Sequence, residues 1–143
     1  MKEQKLRRMS KVAATIACFL ILGTTHAQRV EHIAGKQMSP AEYDNIHVAA
    51  LDDHPLSSTF MIWVKEGVKE HYHEHHTEVV YVLEGEGRMK LNEDWRMVKA
   101  GDYIFIPKGT RHAVEVISDE PMKVISIQSP RFDGTDRVFV SQK

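Results

Sequence analysis

An all-β fold, either a sandwich or a closed barrel, is what this sequence predicts, on three observations. Short segments rich in β-branched and aromatic residues recur at even spacing from residue 46 to residue 128. Turn-forming residues punctuate the gaps between them, as in Asp52-Asp53, Gly85-Glu86-Gly87, Asn92-Glu93-Asp94, Gly101-Asp102 and Ser118-Asp119. Where an apolar run could be read as helix, at 79–83, its valines and tyrosine favour strand instead.

The chain opens on a segment that stands apart from this pattern. Lys2, Lys5, Arg7, Arg8 and Lys11 form a basic stretch, residues 12–23 are apolar, and Thr25-His26-Ala27 offers a small-x-small cleavage site before Gln28. That order is the order of a secretory signal peptide, and its apolar run is short for a membrane span. Residues 1–27 are therefore expected to be a signal peptide, the mature protein to be periplasmic or secreted, and no stable membrane insertion to persist after cleavage. Residues 28–45 read as an N-terminal arm, patternless and mobile at first. In it Ser39-Pro40-Ala41-Glu42 carries a capping-box pattern with proline at the first helical position, which predicts one short helix turn.

The β domain is expected over residues 46–143. Its strands are expected at 46–51, 59–65, 71–73, 78–83, 88–91, 95–98, 103–106, 112–117 and 123–128. In 60–64 and 79–83 both alternating faces are apolar, so one face lines the interior and the other needs a cover. A homodimer partner or the N-terminal arm would supply it. The tail Ser129-Pro130-Arg131-Phe132-Asp133-Gly134 carries a turn signal and is expected to fold over one end of the barrel.

Charge narrows the partners. Removing residues 1–27 takes five basic residues and one acidic residue, leaving 14 against 19, a net charge near −5. Nucleic acid is not an expected partner, because phosphate binding needs clustered positive charge. The single cysteine, Cys18, leaves with the signal segment, so neither a disulfide nor a thiolate ligand is available afterwards.

Two stretches carry chemistry. In Gly101–His112, GDYIFIPKGTRH, an apolar strand runs into a Pro-Lys-Gly turn and returns on a histidine facing inward. Some thirty residues earlier lies a histidine cluster, HYHEHHTEVVYVLEGEG, also on strand-like sequence. Period-two spacing places His71 and His73 on one face of a strand. Glu78 follows across a four-residue connection, and antiparallel pairing of the two strands is expected to bring it beside His73. Imidazole nitrogen suits first-row metals, and a carboxylate offsets the charge of a dication. His73 and His75 form a rival pair, but the two residues His76-Thr77 that would then link to Glu78 are poor at the positive φ a two-residue hairpin wants. The longer loop 74–77 is easier to build, which leaves His75 as an outer or substitute ligand and His76 facing solvent.

These two stretches resemble the paired motifs of the cupin superfamily, and most closely its small single-domain cupin-2 type. The first motif is matched by His71 and His73, by Glu78 four residues on, and by Gly85 after six more; the second by Gly101, Pro107, Gly109 and His112. Val116 stands where an asparagine often closes the second motif, and Gly67 lies three residues before His71 where five are usual. The resemblance implies a double-stranded β-helix, or jelly-roll, barrel. It also implies one divalent transition metal (Fe, Mn, Ni, Cu or Zn) on His71, His73, Glu78 and His112. The implied activity is that of a small-molecule metalloenzyme of oxygenase, isomerase or lyase type, with a non-catalytic protein that binds a small ligand or the metal itself as the alternative. Trp63, Tyr81, Tyr103 and Phe105 are candidates for a substrate pocket, and Arg88 and Lys90 for contacts to an anionic substrate.

Overall fold

The computed structural model describes residues 28–140; the expected signal peptide, with Cys18, lies outside the described residues. All nine expected segments are strands, within a few residues of the expected bounds. They are β1 (Ile46–His54), β2 (Ser57–Val64), β3 (Gly67–Tyr72), β4 (Thr77–Glu84), β5 (Glu86–Leu91), β6 (Asp94–Lys99), β7 (Tyr103–Ile106), β8 (His112–Val116) and β9 (Met122–Ser129). A tenth, β10 (Val138–Phe139), comes from the tail, whose two residues are too few to leave a periodic signal. The strands form two antiparallel five-stranded sheets, ordered β1-β2-β9-β4-β7 and β10-β3-β8-β5-β6. Sequence neighbours β3 and β4 belong to opposite sheets, as do β8 and β9, and this repeated crossing makes the jelly roll.

Between the sheets, Val64, Val82, Met89, Val98, Ile104, Ile106, Met122 and Val124 form the main core. Each alternates with an outward residue along its strand, so the period of two decides which side chains meet. The outer face of the first sheet carries a second cluster, Met61, Trp63 and Ile125, covered by Ile33, Met38 and Tyr43. The arm is thus the cover that the doubly apolar strand β2 needs, and from Ile33 onward it is packed rather than mobile. Fully buried Lys123 ties the arm down, its Nζ donating to the carbonyl of Ala34 at 3.0 Å and to Glu84 Oε1 at 2.9 Å. The expected helix turn is a 3-10 turn over Pro40–Glu42; Ser39 makes no side-chain cap, so the capping box is not formed. No helix among the described residues is long and apolar enough to cross a membrane.

Farther along the same outer face, Tyr81, Tyr103, Phe105 and Ile127 stay exposed beside β7, the edge strand. Tyr81, Tyr103 and Phe105 therefore face away from the interior, and Trp63 lies under the arm, so none of the four aromatic pocket candidates lines the cavity. Inward positions of those strands go to Val80, Val82, Ile104 and Ile106 instead. Arg88 pairs with Glu115, and Lys90 with Glu70 at 2.8 Å, and neither lines the cavity.

Candidate metal centre

His71, His73, Glu78 and His112 are brought together, and each is at most 7% exposed. His71 near the end of β3 and His112 at the start of β8 are direct cross-strand partners, with ring centroids 4.2 Å apart. His73 is the first residue past β3, and Glu78 sits on β4 in the facing sheet. The expected pairing of Glu78 beside His73 on adjacent strands is therefore corrected. Loop 73–76 crosses from one sheet to the other, and Glu78 approaches the imidazoles across the interior; its own strand partners are Gln128 and Ile106. The two motif stretches also touch through backbone. Gly109, at φ 78° in the Pro-Lys-Gly turn, donates its N–H to the carbonyl of His73 at 2.6 Å.

Hydrogen bonding orients the rings. Nδ1 of His71 faces the carbonyl of Lys69 at 2.8 Å, Nδ1 of His112 that of Thr110 at 3.0 Å, and Nδ1 of His73 that of Asp136. A carbonyl can only accept, so each Nδ1 carries a proton and Nε2 is the nitrogen left to hold a metal. Nε2 of His73 lies 3.5 Å from Glu78 Oε2, and Nε2 of His112 lies 3.3 Å from the same oxygen. Nε2 of His112 is buried without a hydrogen-bond partner. Three imidazole nitrogens and a carboxylate oxygen converging in a buried site need positive charge among them, which a proton on an imidazole supplies in the metal-free protein and a metal ion would supply in its place. Ligand atoms of the three histidines all lie within 4.8 Å of one another, and the donor set of three nitrogens and one oxygen suits a first-row divalent metal.

Electrostatics agree with that arrangement. Burial is the main cause that lowers the His71 pKa, to about 4, and the charge of His112 adds to it, against the Lys69 carbonyl; His71 is neutral near pH 7. For Glu78, burial alone would raise the pKa. The His112 and His73 imidazoles and the Ser126 hydroxyl outweigh it and hold the carboxyl well below the usual range. Ser126 Oγ donates to Glu78 Oε1 at 2.5 Å, which turns Oε2 toward the histidines.

The tail supplies a group that sequence reasoning missed. Asp136, buried, accepts the backbone N–H groups of Glu74 at 2.9 Å, His75 at 2.9 Å and His76 at 3.1 Å, and pairs with Nδ1 of His76. His76 is thus buried, 6% exposed, and does not face solvent as expected. Its other nitrogen meets the carbonyl of Arg131 at 2.9 Å, and Phe132 stacks edge-on against it with centroids 5.3 Å apart. Burial opposes its charged form, but the Arg131 carbonyl and the Asp136 carboxylate raise its pKa. His75 points outward, its side chain 76% exposed and nearest Glu74, so it is no partner of the buried cluster. The tail does fold over one end of the barrel, as its turn signal suggests. His76 and Asp136 lie 60 residues apart, and no local pattern pairs them.

The cluster forms part of the wall of a cavity of about 110 Å³, to which His71, Glu78 and His112 contribute but His73 does not. Comparison with known proteins matches residues 58–128 to the Cupin domain family of the cupin-2 type. A relative from Aquifex aeolicus, uncharacterised in function, is 35% identical over 97 residues, covering 68% of this chain and 79% of its own. The chain belongs to the cupin superfamily. Quercetin 2,3-dioxygenase of Bacillus subtilis is 30% identical over 80 residues, which are 52% of this cupin and 24% of that enzyme. Among solved structures, a nucleoside dehydratase from Streptomyces aligns with a TM-score of 0.59 at 22% identity, covering 69% of this chain and 85% of that one. At that identity the likeness speaks for the fold.

Proposed function

We propose that this cupin is an exported metalloenzyme acting on a small molecule, with one divalent transition metal held by His71, His73, Glu78 and His112. The observation that carries the reading is the set of three buried imidazoles whose Nδ1 atoms are held by backbone carbonyls and whose ligand atoms cluster within 4.8 Å, with Nε2 of His73 and of His112 turned to Glu78 Oε2, next to a cavity. A metal there would act as Lewis acid or redox centre toward a substrate oxygen. What the chain itself does is separable from that. The carbonyls of Lys69, Asp136 and Thr110 hold the Nδ1 protons and fix the rings. Ser126 orients the carboxylate, and the apolar walls exclude water. A purely structural ion is disfavoured, because the cavity reaches three of the four side chains. A dioxygenase is among the similar sequences, so oxygenase chemistry stands first and lyase or isomerase chemistry second.

Elemental analysis of protein purified from its native compartment should find one metal per chain. Oxygen uptake and loss of water from candidate substrates then separate the two chemistries. Absence of any bound first-row metal, with none taken up on titration, would refute the metalloenzyme. Export rests on the order of charge and apolarity in residues 1–27, and intact mass of the mature protein should show a chain beginning at Gln28. Homodimerisation has its best support in the exposed face of Tyr81, Tyr103, Phe105 and Ile127, and sedimentation measures it directly.

A further inference from the structure

The cavity beside the histidine cluster is walled by aliphatic and methionine side chains, including Val64, Val80, Met89, Val98, Ile104 and Val124. Outside the histidine cluster and Glu78, only two polar side chains line it, Gln128 and Arg137. Gln128, on β9 directly opposite Glu78 of β4, is 2% exposed, and its Oε1 is buried without a hydrogen-bond partner. A buried acceptor left open costs stability, so its retention points to a donor that arrives from elsewhere.

Arg137 sits between Asp136, which clamps the histidine loop, and Val138, the first residue of β10. It is exposed, lines the cavity, and makes no ion pair among the described residues. Its guanidinium lies over Phe132, 5.8 Å from the ring centroid, and Phe132 in turn packs against His73. Arg88, Arg111 and Arg131 are engaged with Glu115, Glu93 and Asp53, and Arg96 does not line the cavity. Residue 137 also lies outside the stretch 58–128 that the cupin family defines, so this group belongs to the tail of this chain.

We propose that Arg137 is the anion-recognising residue of the cavity, and that the ligand is a compact carboxylic acid with an apolar body and a hydroxyl. The carboxylate meets the guanidinium at the mouth, the apolar body fills the interior, and the hydroxyl donates to Gln128 Oε1. A cavity of about 110 Å³ limits the body to a short branched aliphatic chain, since it is smaller than the ~150 Å³ cavity that takes benzene. An unpaired guanidinium selects a carboxylate by planar, charge-assisted hydrogen bonds, and a neutral ester of the same shape forfeits them. The assignment deepens the metalloenzyme reading and names its substrate class, but Arg137 and Gln128 are not members of the metal cluster.

The test is calorimetric titration of the full mature chain with 2-hydroxyisocaproate and with its methyl ester, each with and without added Zn²⁺. The acid should bind more tightly than the ester in both conditions. Arg137→Gln should weaken the acid on the order of 10–100-fold and leave the ester within about twofold, because only the acid uses the charge. Arg137→Lys should fall between, keeping the charge but not the fork. Gln128→Leu should weaken 2-hydroxyisocaproate more than 4-methylpentanoate, which has no hydroxyl. Equal binding of acid and ester, no detectable binding of the acid to wild type, or an Arg137→Gln variant that binds the acid as well as wild type would each overturn the proposal. Failure of the metal reading would show separately, as absence of Zn²⁺ uptake, while the acid-over-ester difference in the metal-free arm persists.

Discussion

Asp136→Ala is the perturbation that asks most of the tail. In the folded protein this one carboxylate accepts three consecutive backbone N–H groups, from Glu74, His75 and His76, and faces the His76 imidazole as well. The His76–Asp136 pair is buried, with both side chains 7% exposed, and removing one member of such a pair costs about 3–5 kcal/mol. The backbone bonds do not add their full worth of ~1.5–3 kcal/mol each, because Glu74 and His75 are exposed and water can reach their N–H groups. The expected loss is therefore about 3–5 kcal/mol for Asp136→Ala. For Asp136→Asn it is smaller, on the order of 1–3 kcal/mol, since the one amide oxygen can still accept from His75 and His76 while the NH2 group faces the Glu74 N–H in place of an acceptor. Urea denaturation of the metal-free protein measures both losses. The loop also carries His73, whose Nδ1 proton is held by the carbonyl of residue 136, so metal affinity should fall roughly 10–100-fold in Asp136→Ala. A loss below about 1 kcal/mol in Asp136→Ala, with metal affinity intact, would refute the clamp.

Three further outcomes are expected. Metal-free protein should lose stability as pH falls from 6.5 toward 4, by up to about 3 kcal/mol, and level off below. In that window the unfolded His71 binds a proton that the folded one, with its pKa lowered to about 4, refuses. His76 runs the other way, its raised pKa contributing stability that is complete below 6.5 and lost as pH rises through the folded value; thermal melts of His76→Gln across pH separate the two. Ser126→Ala should cost metal affinity on the order of tenfold, read by competition with a chromophoric chelator, because Glu78 Oε1 loses its one hydroxyl donor. Lys123→Ala should cost about 3 kcal/mol or more in denaturant melts, and Glu84→Gln less, since Glu84 is 45% exposed and the Ala34 carbonyl still holds the ammonium.

Local chemistry explains which parts of the structure were legible in sequence. Strand segments, the Pro107-Lys108-Gly109 turn and the four buried side chains all follow from period-two alternation and from turn residues at fixed offsets. The His71–His73 reading over His73–His75 rested on the loop 74–77, and the exposed His75 fits that choice. What could not be read depends on segments far apart in the chain. His76 looks like a loop histidine until Asp136 and Phe132 close over it. Lys123 looks like a solvated strand residue until Glu84 and the arm surround its ammonium. Placement of Glu78 across the interior rather than beside His73 is a property of the sheet order, which alternation within a strand cannot encode.

The metal assignment itself is tested most directly by Co²⁺ or Zn²⁺ stoichiometry and affinity, measured in one buffer for wild type and for single alanine variants of His71, His73, Glu78, His112 and His75. Wild type should take up one ion per chain. His71→Ala, His73→Ala, Glu78→Ala and His112→Ala should each lose affinity by 100-fold or more, an order-of-magnitude figure for a direct ligand set above the ~10–100-fold of an outer partner, while His75→Ala stays within a few-fold of wild type. Full affinity in all four buried variants would show that the cupin barrel of this protein holds no metal on these residues. Loss confined to His73 and His75 would place the ion in the exposed loop instead.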